Sequence, residues 1–199
     1  MTPQEIAKTL LDAEDYEHTQ RVVAFCFRIL PELPNKALED VDQDMLIDTG
    51  WLHDVGKSEN ADKHHKKKHI RKALEPYEDE LGYDDDEIDD LVDIIHAHKG
   101  DFDPPPYYEL ESAILRLCDK MDRFNKGQSN APVKCDESKD ILKLVMKCKF
   151  GKKTWRKFRR KYWAILADTI QSALKNEELD RKTRERFEKA LKKAQNKSS

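Results

Sequence analysis

The stretch Trp51-Leu52-His53-Asp54-Val55-Gly56-Lys57 decides how this chain is read. It joins an apolar approach to two adjacent metal-ligand side chains, a glycine and a lysine. A neutral imidazole and an ionised carboxylate are donors that divalent cations take, and a lysine three residues on can meet a phosphate as a point charge. Working outward, Val41 to His53 predicts a helix that carries Met45, Leu46 and Leu52. His53-Asp54 then falls at its C-terminal end, and Gly56 permits the turn that follows.

Upstream, Asp15 is expected to cap a helix on which His18, Val22, Phe25 and Ile29 share a face until Pro31 and Pro34 break it. Downstream, Lys66 to Tyr77 reads as a third helix. The run Asp84-Asp85-Asp86-Glu87 opens a fourth, because carboxylates suit a helix N-terminus. Its apolar positions Ile88, Leu91 and Ile95 are followed at the same spacing by His98. After Pro104-Pro105-Pro106, Tyr107 to Phe124 aligns Leu110, Ile114, Leu117 and Met121. Asp119 lies nearly opposite that stripe, so either this helix is buried on two sides or Asp119 is a solvated carboxylate. Gly127 to Pro132 marks a boundary, and helices are predicted near Ser138 to Cys148, Lys152 to Leu174 and Asp180 to Gln195, with only the last few residues disordered.

Composition supports an all-α chain. Its 199 residues suffice for one sizeable core. Six glycines, 39% charged residues and few alternating β-branched runs favour helices over strands. No stretch has the apolar length of a membrane span and Met1 to Glu5 does not resemble a signal peptide, so a cytoplasmic location without membrane association is expected. Cys26, Cys118, Cys135 and Cys148 form no close pair and read as small, reduced fillers. The formal charge of −3 hides a division: 16 basic and 31 acidic residues lie up to Gln128, a balance of −15, and the remainder carries +12. All seven histidines fall in the acidic part, between His18 and His98.

One histidine on an apolar helix face is more often core than ligand. The ordered set is more specific: His18 in His-Thr-Gln-Arg-Val, His53-Asp54 in Leu-His-Asp-Val-Gly-Lys, and Asp119 in Cys-Asp-Lys-Met-Asp-Arg. Together they resemble the H…HD…D signature of the HD-domain metal-dependent phosphohydrolase superfamily, over roughly Asp15 to Gly127. The resemblance implies an HD-type helical bundle in which His18, His53, Asp54 and Asp119 bind one divalent metal ion (Mn, Fe, Mg, Ni, Co or Zn). Binuclear members add histidines between the HD pair and the last Asp, with the Asp of the pair bridging both ions. His69, His96 and His98 are the candidates for a second ion here. The family more often has adjacent histidines where this chain places Ala97 between two. Lys57, Asp54 and Arg21 are the candidate catalytic residues, the two cations acting on phosphoryl oxygens. Asp122 is a candidate to orient a ligand or water. His64-His65, set among lysines, reads as a solvated basic loop.

The expected organisation is an HD-type core over residues 1–128 and a basic helical extension over 129–199 that packs on the core. Between Lys147 and Tyr162 the extension interleaves dense basic residues with Phe150, Trp155 and Phe158, a pattern open to nucleic-acid binding. Helical spacing of Trp155, Phe158 and Tyr162 favours a buried stripe instead, with the cations answering acidic residues earlier in the chain. The implied activity is hydrolysis of a phosphate mono- or diester, of a nucleotide or other small phosphorylated substrate, by a metal-activated water. Two rival readings are a binuclear iron oxygenase and a nucleic-acid-binding module with a structural metal site.

Overall fold

The N-terminal helix α1 (Pro3–Leu10) begins where its sequence satisfies the exposed backbone: Thr2 and Glu5 form a reciprocal capping box, and Pro3 occupies the first turn. The computed structural model describes residues 1–99 and 103–198; these residues contain helices and turns but no strand. The remaining helices are α2 (Ala13–Ile29), α3 (Asn35–Leu38), α4 (Gln43–Leu52), α5 (Lys67–Leu74), α6 (Glu78–Leu81), α7 (Asp85–Ala97), α8 (Glu109–Asn125), α9 (Ala131–Phe150), α10 (Lys152–Ala173) and α11 (Arg181–Ser198). The protein is all-α. Among the described residues, no helix is long and apolar enough to cross a membrane.

Two compact units divide the chain, one formed by residues 1–26 and 41–116, the other by 27–40 and 117–199. In the first, α4 packs with α1 and α7, and α5 packs with α7 and with the 3-10 turn Val55–Ser58. Ile6, Leu46, Leu52, Ile70, Leu74, Leu91 and Ile94 are buried in this unit. Each such side chain contributes roughly 1.5–3 kcal/mol relative to exposure. α4 starts at Asp42, whose carboxylate accepts from the Met45 amide at 2.9 Å. α7 starts with a capping box between Asp84 and Glu87, followed by an acidic first turn that suits the helix dipole.

In the second unit, α10 packs against α9, α11 and the 3-10 turn Leu30–Glu32. Gly151 joins α9 to α10 at φ 85°, a left-handed conformation that disfavours side-chain-bearing residues. Trp155, Phe158 and Tyr162 are buried, as the helical spacing predicts, and so is Trp163, while the basic residues between them are exposed. Phe124 meets Phe187 of α11 edge to face, with ring centroids 4.8 Å apart.

Several details differ from sequence expectation. The Asp15 amide donates to the Asp12 carboxylate at 2.9 Å, so Asp12 supplies the capping group of α2 and Asp15 lies inside the first turn. α9 begins at Ala131, seven residues before the predicted Ser138, because Pro132 fits a helix's first turn and starts this one. α11 continues to Ser198, where disorder was expected. Cys148 is exposed and does not fill a core, unlike Cys26, Cys118 and Cys135. α8 is buried around most of its circumference, including Leu115 and Cys118 beside Asp119, which resolves the two alternatives in favour of a helix enclosed on both sides.

Candidate metal centre

Local backbone geometry in the first unit delivers His53 and Asp54. His53 closes α4, and Asp54, at φ −111° and ψ 2°, turns the chain into the 3-10 turn Val55–Ser58. The two consecutive side chains converge with His18 of α2. His18 Nε2 and His53 Nε2 are 3.3 Å apart, and Asp54 Oδ2 is 3.7 Å from the former and 3.6 Å from the latter. All three residues are buried.

Hydrogen bonding fixes which nitrogen is available. His53 Nδ1 donates to the Gly50 carbonyl at 2.8 Å, which leaves Nε2 as the ring nitrogen facing His18 and Asp54. His64 repeats the arrangement: its Nδ1 donates to the Ala61 carbonyl at 2.6 Å and its Nε2 is 3.4 Å from Asp54 Oδ1. His98 Nδ1 donates to the Ile95 carbonyl. Carbonyl-anchored imidazoles are the usual supported form of histidine ligands. Imidazole nitrogens and a carboxylate that converge in this way form a donor set suited to a divalent cation, so the residues present fit the metal that the motif implies.

His64 and His65 correct the expectation of a solvated loop. His64 is only 8% exposed, and ligand atoms of Asp54, His64 and His65 lie within 4.8 Å of one another. Gly56 makes this approach possible: a Cβ there would lie 2.1 Å from the His64 carbonyl oxygen. The His65 ring packs against His64 at 3.5 Å and His98 at 4.8 Å, and His98 lies 5.3 Å from His53. Burial first, then the neighbouring His98, His64 and Lys99, push the His65 pKa far down, which keeps its imidazole in the neutral, ligating form.

The other candidates are placed as follows. His98 is buried in this cluster. His96 is half-buried and donates from Nδ1 to the His65 carbonyl at 2.6 Å, so it supports the loop that presents His65. His69, half-buried on α5, has a shielded Nε2 without a hydrogen-bond partner and does not join the Asp54, His64 and His65 group. Arg21 pairs with Glu17 one turn away at 3.8 Å. Asp119 lies on α8 within the second unit, largely buried, and forms an ion pair with Lys120. Asp122 is buried and accepts from Asn125 Nδ2 at 2.9 Å.

Lys57 Nζ bridges two carboxylates, Asp54 Oδ2 and Asp15 Oδ1, each at 2.6 Å. Burial lowers its pKa, but Asp54 and Asp15 outweigh that and hold the ammonium above its ordinary value. For Asp54, burial pushes upward, whereas His53, the His64 hydrogen bond, Lys57 and His18 hold the carboxyl well below the usual range. Both groups are therefore charged at neutral pH.

An HD-domain family model matches residues 15–124, more than half of the chain. The chain belongs to the HD-domain family. No curated protein and no solved structure matches it significantly. The HD-domain match spans His18, His53 and Asp54 and ends at Phe124, within α8.

Proposed function

We propose that this HD-domain protein is a metal-dependent phosphohydrolase that hydrolyses a phosphate mono- or diester, with a nucleotide as the substrate class. The observation that carries the reading is the convergence of His18, His53 and Asp54, with the His53 imidazole oriented by the Gly50 carbonyl. The family pattern nominates Asp119 as the fourth ligand. A divalent cation held there supplies Lewis acidity toward a phosphoryl oxygen and makes a water more acidic, to a pKa of about 7 in the most favourable zinc cases.

The protein's own groups then have separate tasks. Asp54 offers one oxygen toward His18 and His53 and the other toward His64, so it would be the ligand shared by both ions of a binuclear centre. His64, His65 and His98 are the neighbours assigned to a second ion, with His96 positioning His65 through its carbonyl. His69, the family-pattern candidate for that ion, has the weaker structural case. Lys57, already oriented by Asp15, neutralises charge that develops on the phosphoryl oxygens. Arg21 supports the incoming phosphate from α2 after exchanging Glu17 for it.

Metal analysis after purification without chelator or histidine tag, followed by a panel of nucleotides and phosphodiesters, tests this reading. Retained divalent metal and metal-dependent phosphate release are expected. Lys57→Ala should keep the metal and lower kcat about a hundredfold, corresponding to roughly 3 kcal/mol of transition-state stabilisation. A protein that holds no divalent metal and releases no phosphate across the panel overturns the proposal. The extra imidazoles around Asp54 also favour a second reading, a binuclear iron oxygenase, which predicts oxygen consumption without phosphate release.

A further inference from the structure

Seven of the ten residues from Lys152 to Lys161 are basic, and no acidic residue follows until Asp168. All seven are exposed. Their charges oppose the positive end of the α10 dipole and repel one another at helical spacing. Lys161 is answered by Glu32 at 3.0 Å. Lys153, Arg156, Lys157 and Arg160 have no ion pair among the described residues, so this part of α10 carries uncompensated charge.

At 100° per residue these four cations occupy one side of α10. Beside them, within the second unit, a groove of about 600 Å³ is lined chiefly by Lys153, Lys157 and Lys161 of α10, Phe150 of α9, Lys36 of α3 and one carboxylate, Glu32, which is the partner of Lys161. From Lys153 to Lys161 the charged row runs about 12 Å along the helix. That length suits a repeating anion better than one phosphate: a nucleic-acid duplex presents one charge per about 1.7 Å of axis, or about seven over the same distance.

We infer that the face of α10 centred on Lys153, Arg156, Lys157 and Arg160 binds the phosphate backbone of a duplex nucleic acid without reading its sequence. The aromatic residues of α10 are buried and therefore offer no platform on which unpaired bases could stack. Protein interfaces draw their energy from exposed apolar or aromatic anchors, whereas Trp155 and Phe158, which lie between these cations in sequence, are buried, and beside the row only the half-buried Phe150 offers a ring. Lipid binding by a surface helix requires an apolar face free to enter the bilayer boundary, and the apolar face of α10 lies in its own core. No residue of this surface belongs to the metal centre, so the inference stands apart from the phosphohydrolase reading.

The test uses the full chain in the presence of chelator, a fluorescein-labelled 20-base-pair duplex of arbitrary sequence, and anisotropy titrations at 50 and 200 mM KCl. With four phosphates engaged, the slope of log K against log salt should be about −3.6, weakening binding about 150-fold between the two salts. A variant combining Lys153→Gln, Arg156→Gln, Lys157→Gln and Arg160→Gln should bind at least tenfold more weakly at 50 mM, with a slope near zero and unchanged helical circular dichroism. If that variant loses helix, Lys157→Gln and Arg160→Gln singly should each flatten the slope by about 0.9. Absence of duplex binding by the parent at 50 mM KCl overturns the proposal, as does an unchanged salt slope in the folded variants. Tighter binding to single-stranded DNA, polyglutamate or phosphatidylserine vesicles than to the duplex also overturns it.

Discussion

Around Asp54 the first unit buries imidazoles and a carboxylate whose polar atoms face one another, whereas along α10 the second unit buries rings and turns its charges outward. Near Asp54, imidazole Nδ1 atoms are tied to backbone carbonyls, and charge within the cluster overrides the desolvation of Asp54. Beside α10's buried rings, the Tyr162 hydroxyl and Trp163 Nε1 are shielded without hydrogen-bond partners, and three lysines approach the Trp163 ring at 4.9–5.6 Å. The first arrangement orients lone pairs at a cost in desolvation. The second accepts two unsatisfied donors because the apolar area around them outweighs that cost. Burial therefore serves ligand orientation in one region and stability in the other.

Asp54→Ala should separate the regions most sharply. It is expected to lower metal retention and phosphate release by about a thousandfold or more, because the carboxylate joins both imidazole groups, while Lys57 keeps Asp15 as a partner. Unchanged metal content by mass spectrometry would contradict the assignment. Phe158→Ala should do the reverse, costing about 3–5 kcal/mol in urea unfolding while the folded fraction keeps its metal stoichiometry. Metal loss in folded Phe158→Ala protein would break the distinction between the two kinds of burial.

Gly56→Ala probes where stability and site meet. Its new Cβ must displace the His64 backbone, with an expected cost of roughly 1–3 kcal/mol and weaker binding of a second metal equivalent in a calorimetric titration. A variant with parental melting temperature and two equal binding steps would show that this close approach is dispensable.

Asp136 supplies the smallest predicted effect, on the acid side of the second unit. Partial burial pushes its carboxyl up, but Lys193 and Lys139 hold it below its ordinary value. A depressed folded pKa contributes stability that is fully present above the unfolded value, about 3.9, and is lost as pH falls through the folded pKa. Asp136→Asn should therefore flatten the stability decline below about pH 4 and leave the metal centre's pH profile unchanged. Equal acid sensitivity in parent and variant would remove Asp136 from the account.

The sequence by itself determined the all-α class, the HD pair and the inward stripe of α10, because each is encoded at local helical spacing: Leu46 to His53 along one helix, Trp155 to Trp163 along another. The HD family was legible because His18, His53-Asp54 and Asp119 occur in order within their motifs. α1 was not among the helices expected from the sequence, although Thr2-Pro3-Gln4-Glu5 carries a capping-box signal for it. Only the tertiary structure decided that His64 and His65 turn inward beside Asp54 while His69 does not join them. The reason is that a loop has no periodicity to mark its inner face, and the lysines around those histidines suggest solvent. Their placement depends on Gly56 admitting the His64 backbone from eight residues away, and on His96 of α7 holding the His65 carbonyl, contacts that come into existence only when separate elements pack.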